Sequence, residues 1–252
     1  MKIEDNIIQL TKDAGKAIID VYNDISLNQQ IEKKGDNSPL TLADKRSHEV
    51  IEDRLRTLYP QIPIISEEGA GIDYKLRKNY ERFWLVDPLD GTKEFINKNG
   101  EFTVNIALIE NGYPTCGYIY VPVQDVVYAG SIDGAIKIHN GVEEKIHVSG
   151  KSDDRTAVRS RSHATPEEDA ILKHYQVTKE ISKGSSLKFC AVAEGSADLY
   201  YRAGPTMEWD TAAGQAILEA AGGRVFIGNS EEKRFVYNKE NLLNPGFLCL
   251  GF

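Results

Sequence analysis

The run Phe83-Trp84-Leu85-Val86-Asp87-Pro88-Leu89-Asp90-Gly91-Thr92 constrains the fold more than any other stretch of the chain. Four consecutive apolar residues read as a strand buried on both faces, yet the strand ends in two carboxylates. Pro88 fixes φ and removes a backbone donor, so a regular ladder cannot continue through it, and Gly91 lets the backbone approach whatever the carboxylates hold. A helical turn starting after Asp90 would aim the amides of Gly91 and Thr92 at the same point, as helix starts do when they bind phosphate. Taken singly, Asp90 also reads as a helix cap and Asp87 as a turn residue. The pattern Asp-Pro-x-Asp-Gly-Thr, however, arises by chance on the order of once in ten thousand chains of this length, which marks it as a specific motif.

Two further acidic sites stand at element ends, Ile64-Ile65-Ser66-Glu67-Glu68-Gly69 and Glu208-Trp209-Asp210-Thr211-Ala212-Ala213-Gly214. Alone, paired glutamates in a loop read as solvated surface, and Asp210 reads as a helix N-cap. Together, Glu67, Asp87, Asp90 and Asp210 could converge only if cations neutralise their repulsion. An all-oxygen donor set favours Mg²⁺ or a similar hard ion.

The first segment carries a helical stripe, Ile7, Leu10, Ala14, Ala17, Ile18, Val21 and Tyr22, and a second helix is expected from Thr41 with Val50, Ile51, Leu55 and Leu58 inward until Pro60 ends it. From there to about residue 130 short apolar runs separated by Gly, Pro and Asn predict a largely antiparallel sheet against these two helices. Beyond Gly130, strands and helices alternate. We therefore expect two subdomains, 1–130 and 131–252, sharing a site at their seam. The 252 residues, 41% hydrophobic and 27% charged, suffice for a large core. With 30 basic against 38 acidic residues the net charge is −8, which argues against a nucleic acid polymer as partner but leaves small anions admissible. Cys116, Cys190 and Cys249 sit in apolar surroundings and read as buried thiols of a reducing cytoplasm. No apolar run reaches the ~20 residues of a membrane span, and no signal peptide is expected.

The blocks Ser66-Glu67-Glu68, Asp87-Pro88-Leu89-Asp90-Gly91-Thr92 and Trp209-Asp210-Thr211-Ala212-Ala213-Gly214 resemble, in order, the signature of the lithium-sensitive, magnesium-dependent phosphatase superfamily containing inositol monophosphatase and fructose-1,6-bisphosphatase. Gly91-Thr92-Lys93-Glu94-Phe95-Ile96, Asn99 to Ala107, Ser160-Arg161-Ser162-His163, Gly184-Ser185-Ser186-Leu187-Lys188-Phe189-Cys190 and Ala203-Gly204-Pro205-Thr206 look more specifically like its 3'(2'),5'-bisphosphate nucleotidase branch of CysQ type. Inositol monophosphatases typically carry Thr-Asn where Lys93 and Glu94 stand.

The resemblance implies a layered αβαβα sandwich, an α/β (α+β) fold in which an N-terminal largely antiparallel sheet and two long helices pack on a smaller C-terminal α/β part. It implies two or three Mg²⁺ per site, held by Glu67, Asp87, Asp90, Asp210 and the Leu89 carbonyl. Asp44 and Thr92 would orient the attacking water, with Glu68 assisting. Gly91, Thr92, His163, Ser185, Lys188, Arg202 and Asp210 would line the substrate side. The implied reaction removes the 3'-phosphate of 3'-phosphoadenosine 5'-phosphate, a by-product of sulfur assimilation, in the cytoplasm or at the inner face of the membrane, by a monomer or homodimer. Competing readings are an inositol monophosphate or sugar bisphosphate phosphatase on the same scaffold, and a binding protein without turnover. Asp44 and Thr92 beside four metal ligands disfavour the last.

Overall fold

The computed structural model describes residues 2–24, 31–33, 39–69, 71–160 and 165–252. The predicted first helix is α1 (Asp5–Asn23), burying Ile7, Leu10, Ala14, Ile18 and Val21 along one stripe. The antiparallel pair β1 (Ile31–Lys33) and β2 (Pro39–Thr41) leads into α2 (Leu42–Leu58). Its buried side holds Ala43, Ile51 and Leu55 but also Asp44 and Ser47, two polar residues that an apolar face does not explain.

There follow β3 (Ile64–Ser66), a single helical turn (Glu67–Gly69), α3 (Tyr74–Arg77), β4 (Arg82–Asp90) and α4 (Thr92–Ile96). A meander completes the large sheet: β5 (Thr103–Glu110), β6 (Tyr113–Val121), β7 (Val126–Ser131), β8 (Gly134–His139) and β9 (Val142–Ile146). The strands pair in sequence order from β3 to β9, antiparallel except for β3 with β4. The boundary expected at residue 130 thus falls inside β7. Asn140 and Gly141, both at positive φ, close β8 on β9 as a two-residue hairpin, and the sheet runs on to Ile146.

The remaining chain contributes β10 (Arg155–Arg159), α5 (Pro166–His174), β11 (Val177–Ser182), α6 (Leu187–Ala193), β12 (Leu199–Arg202), β13 (Thr206–Met207), α7 (Glu208–Ala220), β14 (Arg224–Ile227), β15 (Leu243–Asn244) and β16 (Phe247–Leu250). A smaller mixed sheet runs β11-β10-β12-β16-β14. Three buried clusters correspond to three interfaces: α1 and α2 on the large sheet, α6 and α7 between the two sheets, and α5 on the outer face of the small one. This is the layered αβαβα sandwich that the resemblance implies. Among the described residues no helix is long and apolar enough to cross a membrane.

Helix α7 presses unusually close to the large sheet. Gly117 on β6 and Gly130 on β7 are register partners, and together they form a notch for it. A Cβ on Gly117 would meet the Ala213 carbonyl oxygen at 2.4 Å, and one on Gly130 the Ile217 Cα at 2.5 Å. Because both obstacles are helix backbone, neither Gly117→Ala nor Gly130→Ala can be absorbed by a rotamer change. Each should cost about 1–3 kcal/mol, lowering the melting temperature by roughly 2–4 °C per kcal/mol in a chain of this size. A melting temperature unchanged in both variants would contradict the close approach.

Candidate active site

The parallel register of β3 and β4 matches Ile64 with Trp84, Ile65 with Leu85 and Ser66 with Val86. One step further, Glu67 falls beside Asp87 at the C-terminal ends of the two strands, where sheets with parallel pairs present ligand groups. Asp87 and Asp90 are three residues apart, so a regular strand would turn them to opposite faces. Instead Asp87 lies opposite Asn105 and Asp90 opposite Thr103, three steps on β4 against two on β5. This is a β-bulge, one of the few places a central strand accommodates a proline, here Pro88. Since Thr103 and Asn105 share a face of β5, the bulge brings both aspartates to that face. Asp87 Oδ1 accepts a hydrogen bond from the Leu89 amide at 3.1 Å, closing a turn across the bulge in which Leu89 is buried.

Helix α2 is stitched to these strand ends. Ser47 Oγ donates to the Pro88 carbonyl at 2.7 Å, and His48 Nδ1 meets Ser66 Oγ at 3.0 Å. Asp44, on the same side of the helix one turn earlier, is fully buried and acts on the charge of Asp87. Composition alone makes it an ordinary acid in a helix's first turn; its burial does not fit that reading. Gly91 adopts φ +88° as the residue before α4, which puts a half-buried Thr92 at the helix's first position.

Asp210 arrives from the opposite side. Helix α7 begins at Glu208, so Asp210 is its third residue and not its N-cap, and its Oδ2 reaches back to accept from the Met207 amide at 2.8 Å. That helix start is fixed by Glu208, which has no exposed surface and accepts from the Asn238 and Lys239 amides at 2.7 and 3.0 Å and from Lys239 Nζ at 2.6 Å. The same loop is held by Arg77 of α3, donating to the Lys239 and Glu240 carbonyls at 2.7 and 2.8 Å.

A polar network absent from the sequence reading joins the two sides. Asp90 Oδ2 accepts from Ser185 Oγ and, at 2.7 Å, from Ser186 Oγ. Asn105 Nδ2 donates to Ser186 Oγ at 2.8 Å, while Thr103 Oγ1 meets Ser185 Oγ at 2.7 Å and Asn105 Oδ1 at 3.0 Å. Thr103, Asn105 and Ser186 were thus missed. The available signal was two polar residues on one face of the otherwise apolar run Thr103–Ile109, because buried polar groups need partners.

Burial first, then the charges of Glu67, Asp90, Asp210 and Asp44, push the Asp87 carboxyl well above the usual range. Asp210 is raised by burial, Asp90 and Glu67, against the Met207 amide and Arg202. Glu68 lies half-buried beside Glu67 in the helical turn. Glu67, Asp90, Asp210 and Asp44 therefore all lie near enough to Asp87 to act on its charge. Asp87, Asp90 and Asp210 each have one oxygen engaged by a backbone amide or serine, while the other has no protein donor among the described residues. This anionic, oxygen-only set fits a hard divalent cation, each ligand being oriented through its second oxygen. Among the described residues no three acidic, histidine or cysteine side chains already close on a single point.

The cluster opens into a cleft of about 300 Å³ lined by Asp90, Gly91 and Asp210 together with Ser185, Lys188 and Arg202. Lys188 is buried, its Nζ donating to the Ser185 carbonyl at 2.7 Å, and burial lowers its pKa to about 8. Arg202 Nε is buried without a hydrogen-bond partner among the described residues. His163, expected on this side, lies outside the described residues.

The folded protein holds Asp87 and Asp210 above the 3.8 of an unhindered aspartate. Without divalent cations their contribution to stability is complete only below that value and is lost as pH rises through the folded-state pKa. In chelator-treated protein, the melting temperature of the wild type should fall relative to Asp87→Asn as pH rises above 3.8, the ordinary aspartate value. Parallel curves for the two would exclude buried like charge as a cause.

The inositol monophosphatase family model matches residues 2–246. The chain is 48% identical over 243 residues to the 3'(2'),5'-bisphosphate nucleotidase CysQ of Escherichia coli (strain K12), covering 96% of this chain and 97% of that protein. Among solved structures it resembles CysQ from Bacteroides thetaiotaomicron, with 43% identity, a TM-score of 0.85 and 98% and 96% of the two chains covered. It also resembles an inositol monophosphatase from Anabaena, with 25% identity, a TM-score of 0.73 and coverage of 98% and 89%.

Proposed function

The chain belongs to the inositol monophosphatase family, and from that premise we propose that it is a Mg²⁺-dependent 3'(2'),5'-bisphosphate nucleotidase, converting 3'-phosphoadenosine 5'-phosphate to AMP and inorganic phosphate. The observation that carries this reading is a buried carboxylate cluster opening into a cleft that Lys93, Lys183, Lys188 and Arg202 also line. The CysQ relatives named above support the nucleotide over an inositol phosphate. Cys116, Cys190 and Cys249 are buried thiols outside any disulfide, which agrees with work in the cytoplasm.

Glu67, Asp87, Asp90, Asp210 and the Leu89 carbonyl would hold Mg²⁺. When bound, the cations supply Lewis acidity, lowering the pKa of water and drawing charge from the phosphoryl oxygens. Asp44 would accept a proton at its buried carboxylate, with the Thr92 hydroxyl orienting the attacking water and Glu68 assisting. Gly91, lacking Cβ, leaves the backbone open to the reacting phosphate. Ser185, Lys188, Arg202 and His163 belong to the nucleotide side of this reading.

Phosphate release should be fastest with 3'-phosphoadenosine 5'-phosphate, slower with 3'-AMP and slowest with inositol 1-phosphate, in each case only with Mg²⁺. Inositol 1-phosphate as the best substrate would sink the assignment. Asp90→Asn should retain the fold but lose orders of magnitude in turnover, about 10²-fold or more, because one anionic ligand is gone and no core cavity is made. Thr92→Ala should lower kcat more than nucleotide affinity, and a loss confined to KM would contradict its role with water.

A further inference from the structure

We propose that His48 is a positioning residue for the turn that carries Glu67 and Glu68: its ring fixes that turn against the helix bearing Asp44 and so sets the affinity of the site for Mg²⁺. This rests on the Mg²⁺-dependent reading of the carboxylate cluster and extends it to a side chain outside the cluster.

Glu67 and Glu68 stand on a helical turn of only three residues, Glu67–Gly69. A single turn fixes several dihedrals for one hydrogen bond and does not hold itself in water. Upstream it is tied by the β3–β4 pairing, whose last register partners are Ser66 and Val86. Past Ser66 the constraint has to come from outside the turn, and helix α2 packs against it there.

His48 meets the turn at both ends. Its Nδ1 lies 3.0 Å from the Oγ of Ser66, just before Glu67, and a Cβ on Gly69 would lie 3.7 Å from its Cε1, so the edge of the ring flanks the last residue of the turn. Ser66 is buried, and its hydroxyl therefore needs a partner. On the other edge of the ring, Nε2 lies 3.6 Å from Glu52 Oε2 one helical turn further on, and Glu52 Oε1 accepts from Arg56 at 2.7 Å. Rotating the ring away from the turn would give up contacts at both nitrogens.

The place of His48 on α2 gives the contact its consequence. Asp44, Ser47 and His48, at spacings of three and four, lie on one side of the helix. Asp44 is buried in the cluster, Ser47 donates to the Pro88 carbonyl inside the bulge, and His48 reaches the end of β3. Two adjacent side chains thus hold the two acid-bearing strand ends, Ser47 that of β4 and His48 that of β3. Glu67 and Asp87 repel each other, and with β4 already fixed the His48–Ser66 contact opposes displacement of the turn. Cation affinity at an oxygen-only site follows the spacing and orientation of its carboxylates, so the grip on this turn is a grip on affinity.

Calorimetric titration of the full chain with Mg²⁺, without substrate, reads the site apart from turnover. His48→Leu and Ser66→Ala should each weaken Mg²⁺ binding about 10-fold, and His48→Asn, which keeps a nitrogen near the Nδ1 position, should recover most of the loss. Since both losses come from one contact, the double variant should be little weaker than either single variant. In phosphate release from 3'-phosphoadenosine 5'-phosphate, the Mg²⁺ concentration for half-maximal rate should rise by the same factor, with KM for the nucleotide within about twofold at saturating Mg²⁺. Thermal melting checks folding, and Ser66→Ala carries the test where His48→Leu does not fold. Unchanged Mg²⁺ affinity in folded Ser66→Ala, full additivity in the double variant, or His48→Asn no better than His48→Leu would overturn the role. If the wild type binds Mg²⁺ and the variants match it, this inference alone fails. If the folded wild type binds no Mg²⁺, the reading of the cluster as a metal site fails and takes the inference with it.

Discussion

Repulsion between buried carboxylates is the constraint around which this molecule is arranged. Asp87 alone feels Glu67, Asp90, Asp210 and Asp44. Two unit charges 4 Å apart interact by about 4 kcal/mol at an effective dielectric of 20, so such a cluster does not assemble unless rigid elements hold it. Parallel pairing sets Glu67 beside Asp87, the bulge turns Asp90 to the same face, and Ser47 ties the helix bearing Asp44 to the bulge itself. The three apolar interfaces provide the cohesion that keeps these pieces from relaxing apart.

The site is also where the two sheets are joined. Asp210, Ser185 and Ser186 come from elements of the C-terminal part, while Asp90, Thr103 and Asn105 belong to the large sheet. Every hydrogen bond of that network crosses the seam or supports one that does. Arg77 and Glu208 add a second tie, since both grip the segment from Asn238 to Glu240. The start of the helix carrying Asp210 and the chain just after Glu67 are thereby referred to one common loop.

Much of this was legible in the residues. The helical stripe of α1, the apolar run into Asp87 and the acidic ends at Glu67 and Asp210 are local patterns, and the structure places them as their periodicity predicts. What was not legible is long-range. Asp44 is an ordinary first-turn acid until tertiary packing buries it. Ser186 and Asn105 are 81 positions apart in the sequence and become partners only when the two sheets meet. The Asn140-Gly141 turn, by contrast, is a local signal for a hairpin that extends the sheet past residue 130.

The bulge at Pro88 and Leu89 makes the spacing of the two aspartates a question of parity. In a ladder with period two, faces are assigned by odd and even count, and one surplus residue converts an odd separation into an even one. Deleting Pro88 would leave both carboxylates on one face of a regular strand, but with no bulge and no turn across Leu89 to aim them. Adding a residue would alter the count again. Connections such as that between β8 and β9 can change length with only local consequences. This four-residue interval cannot, so its length is as much a part of the site's chemistry as the acids at its two ends.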